Sequence, residues 1–106
     1  MASIISLRPV HFALITGMFG DAPTEVPYRA LLNTLEACGV QLTKTRAGHT
    51  LLFPVGGGGT TVGLHRPHKS SPQFIDRWTV IKVRNDMRDR WGWSLDTFRV
   101  IADEDD

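Results

Sequence analysis

The residues with chemistry to offer are gathered in two short runs. The first is Lys44-Thr45-Arg46-Ala47-Gly48-His49, where a glycine turn delivers a histidine to the start of the apolar run Thr50-Leu51-Leu52-Phe53. The second is His65-Arg66-Pro67-His68-Lys69. Imidazole titrates near about 6.5, so a histidine can take or give a proton close to neutral pH. A positioned one typically contributes about 10²–10⁴ in rate. RNA carries its own nucleophile, the 2′-hydroxyl. One histidine and a few cations can therefore cleave it: histidine moves a proton, and Lys or Arg stabilises the charge that builds on the phosphate oxygens. DNA lacks that hydroxyl, and the same groups would do little to it. On this basis His49 is the candidate catalytic group. Lys44, Arg46, Gly48, Arg66, His68 and Lys69 are the candidate RNA contacts. From spacing alone, a strand-start histidine with a satisfied ring and cations that serve solubility account for these residues as well.

Other chemistries find little in this chain. The run Gly56-Gly57-Gly58-Gly59 has the composition of a phosphate loop, but such a loop opens a helix and usually ends in lysine. Here the β-prone Thr60-Thr61-Val62 follows, so the run reads as the turn of a hairpin. His65 and His68 stand three apart beside a proline, without a neighbouring cysteine or carboxylate, which is a poor metal set. The single cysteine, Cys38, makes no intramolecular disulfide and reads as a small apolar residue in a reducing compartment. There is no Gly-x-Ser-x-Gly elbow, and no pair of carboxylates on the strands. No metal and no cofactor are expected.

The elements that must position these residues follow from periodicity. A chain of 106 residues, 42% hydrophobic and 22% charged, is expected to be one globular domain. The N-terminus reads as neither signal peptide nor membrane anchor. Net charge is +1, but the last four residues, Asp103-Glu104-Asp105-Asp106, hold four of the 11 acids, and ten of the 12 basic residues lie between Lys44 and Arg99. That body suits nucleic acid, and equally suits a solvated charged helix face. A short helix is expected over Pro9 to Phe19 as a packing element, ending at Gly20-Asp21-Ala22-Pro23. The clearest helix runs from Pro27, in its first turn, to Cys38, with Tyr28, Leu31, Leu32, Leu35 and Cys38 on one stripe and Gly39 after it.

Three strands are expected next, 40–45, 50–55 and 60–65, joined closely enough for an antiparallel meander. By parity His49 shares a face with Leu51 and Phe53; were that the core face, His49 would sit at the sheet rim. A helical turn is expected over Pro72 to Arg77. A second helix, capped by Thr79, then runs to Arg90 or Trp91 and stops at Gly92. Ser94 opens a last turn, from which Leu95 and Phe98 pack back. Trp78, Trp91 and Trp93 read as core residues rather than base-stacking platforms.

This order resembles the HicA family, small RNA-cleaving toxins held in check by an antitoxin called HicB. The resemblance spans about Tyr28 to Phe98. It rests on Leu35-Glu36-Ala37-Cys38-Gly39-Val40, on Arg46-Ala47-Gly48-His49, on the hairpin, on Arg66-Pro67-His68-Lys69, and on the Thr79-to-Gly92 helix with Ser94-Leu95-Asp96-Thr97-Phe98 behind it. Gly48 stands where the family commonly has serine. A stretch with Phe74, Ile75 and Trp78 is inserted, and residues 1–23 have no evident family counterpart.

The resemblance implies an α+β fold like a double-stranded-RNA-binding domain (dsRBD), α-β-β-β-α, with two helices on one face of a three-stranded antiparallel sheet. It implies residues 24–99 as the domain, 1–23 as an N-terminal extension and 100–106 as an acidic tail. It also implies a metal-independent, cytoplasmic mRNA endonuclease with His49 as catalytic residue, RNA as substrate and a HicB-like protein as partner. Two other readings stand beside it: a non-catalytic nucleic-acid-binding protein of the same fold, and a protein-interaction or homo-oligomerisation module.

Overall fold

The computed structural model describes residues 4–45, 48–54, 60–67 and 73–101, with the backbone alone at His49. In chain order the elements are β1 (Ile5–Leu7), α1 (Pro9–Met18), β2 (Val26–Pro27), α2 (Tyr28–Ala37), β3 (Gln41–Lys44), β4 (His49–Phe53) and β5 (Val62–His65). They continue with β6 (Phe74–Ile75), α3 (Arg77–Trp91), a 3-10 turn (Leu95–Thr97) and β7 (Phe98–Val100). The chain is thus an α+β protein with three described helices and a three-stranded antiparallel sheet of order β3-β4-β5.

The α2 stripe does what its period requires: Tyr28, Leu31, Leu32 and Leu35 are all buried. Each such side chain contributes about 1.5–3 kcal/mol by leaving water. Gly39, at φ +98, ends the helix. The Gly39 N–H donates to the Glu36 carbonyl and the Val40 N–H to the Leu35 carbonyl, so the last carbonyls are satisfied as the chain turns into β3. Pro27 stands one place earlier than expected, as the N-cap, and closes the two-residue β2.

The sheet has one core face. Thr50 and Leu52 on β4, and Val62 and Leu64 on β5, are fully buried against the cluster that holds Leu31, Leu35, Val80, Val83 and Met87. On the other face Gly63 and His65 are exposed, and Leu51 and Phe53 half-buried. The Tyr28 and Thr50 hydroxyls meet at 3.0 Å inside the core and tie the start of α2 to β4.

Residues 72–77 depart from expectation. Phe74 and Ile75 form β6, antiparallel to β2, instead of a helical turn; positions 71–72 lie outside the described residues. The reason is the shift of apolar phase: Ile75 is buried from an extended segment, and Val80, Val83 and Met87 from the helix. Accordingly α3 begins at Arg77, with Asp76 rather than Thr79 at its N-cap. The Thr79 hydroxyl, three residues on, donates to Asp76 Oδ1 at 2.5 Å. Gly92, at φ +73, ends α3.

The N-terminal segment is built into the core. β1 pairs in parallel with β7, Ile5 opposite Phe98, and Ile15 and Met18 of α1 are buried. Arg84 of α3 donates to the Met18 and Gly20 carbonyls, both at 3.3 Å, where α1 ends and its carbonyls lack helical partners. Ser94 caps the 3-10 turn in a reciprocal pair with Thr97. Phe98 packs back edge-on to Trp93, but Leu95 stays exposed. Trp93 is buried and Trp91 half-buried. Trp78 is 67% exposed and so is not a core residue. Residues 102–106, most of the acidic tail, lie outside the described residues.

Candidate active site

Strand register gathers the chemically able residues at one end of the sheet. Lys44 is the last residue of β3 and pairs with Thr50; His49 is the first residue of β4 and pairs with His65, the last residue of β5. Arg66 follows directly, half-buried, and its N–H donates to the Gly48 carbonyl at 2.9 Å. Lys44 is exposed. The chain leaves this end after Thr45, returns at Gly48, and leaves again at Pro67. Arg46, His68 and Lys69 lie outside the described residues.

Parity separates position 49 from Lys44 and Arg66, which pair with Thr50 and Gly48 and so stand on the core side of the sheet. The core set on β4 is Thr50 and Leu52, so 49, 51 and 53 belong to the other face. Gly48 is half-buried at φ +84, and a Cβ built on it would meet no atom within 4 Å. Space is open there, but the backbone suits glycine. Any residue with a Cβ would have to hold a conformation that L residues rarely adopt.

Both flanking helices aim their N-terminal ends at this end of the sheet. Tyr28, the first residue of α2, reaches Thr50 next to His49, and its N–H donates to the Gln73 carbonyl ahead of β6 at 2.8 Å. At the far end of α3, Arg90 donates to the Thr61 carbonyl at 2.8 Å and the Trp91 indole N–H to the Thr60 carbonyl at 2.6 Å, just before β5 starts at the opposite end of the sheet. α3 therefore runs back from that end to begin near α2. Helix N-termini carry a partial positive charge that favours anions. α2 has no acidic residue in its first turn. The start of α3 is countered by Asp76, whose carboxyl the Thr79 hydroxyl holds below its ordinary value. Arg77 adds a cation there, stacked 4.4 Å above the exposed Trp78 ring.

Two of these features escape a reading of the residues alone. His65 stood out only as a member of a basic cluster, because its place opposite His49 depends on how the hairpin closes. The Arg77–Trp78 pair was hidden by the expectation of a buried tryptophan. A signal was available for His65: the strand expected over 60–65 ends on it.

Elsewhere, Cys38 is buried at the end of α2, where desolvation pushes its thiol up to about 12, so it stays protonated and unreactive. A 370 Å³ cleft lies between Phe19, Arg84, Arg88, Trp93 and the 3-10 turn, and none of the candidate site residues lines it. Among the described residues no group of three His, Cys, Asp or Glu is placed to share a metal ion, and no helix is long and apolar enough to cross a membrane. Comparison of the chain with models of protein families, with curated proteins and with solved structures finds no match.

Proposed function

We propose that this chain is a HicA-like endoribonuclease that acts on RNA in the cytoplasm and is neutralised by a HicB-like antitoxin. The observation that carries the reading is the meeting of Lys44, His49 and Arg66 at one sheet end, reached from three different strands or their ends. The order α2-β3-β4-β5-α3, read as a dsRBD-like arrangement with both helices on the core face, supports RNA as the ligand. So does the convergence of the two helix N-termini on the same end.

In this reading RNA crosses the rim of the sheet, and Lys44 and Arg66, which stand on the Thr50 and Leu64 side, reach over that rim to balance the charge of the phosphate in the transition state. His49 takes the proton of the 2′-hydroxyl, which attacks the adjacent phosphorus. The cleavage leaves a 2′,3′-cyclic phosphate on one fragment and a 5′-hydroxyl on the other. The reaction as written asks for no metal.

The test is incubation of the purified chain with RNA in EDTA, for the wild type and His49→Ala. The wild type is expected to give fragments ending in cyclic phosphate. His49→Ala is expected to lose about 10²–10⁴ in rate with an unchanged thermal melt. Equal cleavage by the two proteins refutes the assignment. Salt-dependent RNA binding without products would instead select a non-catalytic binding protein on the same surface.

A further inference from the structure

We propose that His65 is the second proton-transfer group of this site, the general acid that protonates the leaving 5′-oxygen. It rests on the RNA-cleaving reading above, and the following geometry carries it. His49 and His65 are directly opposed across β4 and β5. The neighbouring Arg66 N–H bonds to the Gly48 carbonyl, so 49 and 65 form the pair that exchanges no backbone hydrogen bonds with each other. That is the closer of the two antiparallel pair types, with α-carbons about 4.5 Å apart. Position 65 is exposed, in a strand whose alternate residues Val62 and Leu64 are wholly buried, so it belongs to the non-core face, as does position 49.

Cleavage of a phosphodiester by its own 2′-hydroxyl has two proton problems. The attacking oxygen must lose a proton and the departing oxygen must gain one, on opposite sides of the phosphorus. Two histidines on adjacent strands meet that requirement, with Lys44 and Arg66 at the same sheet end but on the Thr50 and Leu64 side. The O2′–H bond breaks and its proton passes to the His49 ring. The O2′–P bond forms as P–O5′ breaks, and the proton carried by the His65 ring passes to O5′. Proton exchange with water resets both rings, so nothing is oxidised or reduced.

Leaving-group chemistry tests this assignment. His65→Ala and His65→Gln are compared with the wild type on an RNA oligonucleotide and on uridine 3′-(4-nitrophenyl phosphate), whose nitrophenolate departs without a proton. Both variants are expected to lose about 10²–10⁴ on RNA yet stay close to the wild-type rate on the aryl ester. The high-pH fall of kcat/KM on RNA is expected to disappear with them. His49→Ala is expected to lose activity on both substrates. Wild-type rates on RNA from the His65 variants, or equal losses on the two substrates, overturn the general-acid role and leave the ribonuclease reading standing. A wild type that cleaves neither substrate overturns both.

Discussion

Replacing Tyr28 with phenylalanine removes one hydroxyl from the core and leaves its partner stranded. Thr50 is wholly inaccessible to solvent and Tyr28 is 9% exposed, and their hydroxyls meet at 3.0 Å. In Tyr28→Phe the Thr50 hydroxyl stays buried without that bond, at a cost of about 1–3 kcal/mol. At about 2 kcal/mol, a domain of this size melts roughly 10 °C lower. Thr50→Val strands the tyrosine hydroxyl instead. That group lies nearer the protein surface, so the loss should be smaller, about 1 kcal/mol. The double variant replaces both partners with apolar groups and should recover most of the combined loss, because neither a donor nor an acceptor is left unpaired. Urea titrations followed by tryptophan fluorescence, on all four proteins, give the coupling directly. A coupling energy of at least about 1 kcal/mol is expected for residues in contact. Single losses that add to within about 0.5 kcal/mol would refute the idea that this buried bond ties α2 to the strand bearing His49.

Two more outcomes follow from the backbone and from burial. Gly48→Ser should destabilise by about 1–2 kcal/mol through its positive φ alone, since the added Cβ meets nothing; a denaturation midpoint equal to the wild type would contradict the assigned turn. Cys38 holds its proton to about 12 in the fold and gives it up near 9 once unfolded. The folded state then binds the extra proton between those values, so stability is intact below pH 9 and falls as pH rises through the window. The slope is on the order of 1.4 kcal/mol per pH unit. Cys38→Ala should flatten that slope, and a thiol reagent should label the wild type only on unfolding.

The legible part of this fold is the part with a period. The α2 stripe repeats over ten residues, and Gly39 and Gly92 stop their helices with the positive φ that glycine adopts without strain. The alternation of β4 and β5 and the short links around them predict the antiparallel meander. What periodicity cannot carry is pairing between pieces too short to have one. β2 and β6 are two residues each, and β1 and β7 three, with partners far apart in the chain. The start of α3 was misplaced because Asp76 and Thr79 are both good capping residues. The choice between them depends on Gln73 and Phe74 being held extended by β2 and the start of α2.

The candidate site divides in the same way. By itself, the sequence determined that a histidine follows a glycine turn at the mouth of a strand, with cations nearby, since residue type and local spacing are properties of the chain. Only the tertiary structure decided which face of β4 is the core and brought His65 opposite His49. It also tied the start of α2 to β4 through the Tyr28–Thr50 bond. Those facts depend on register: a slip of one residue moves every side chain of a strand to the other face. Register is set by the whole core closing, with Leu52, Val62 and Leu64 buried at once, and not by any one segment.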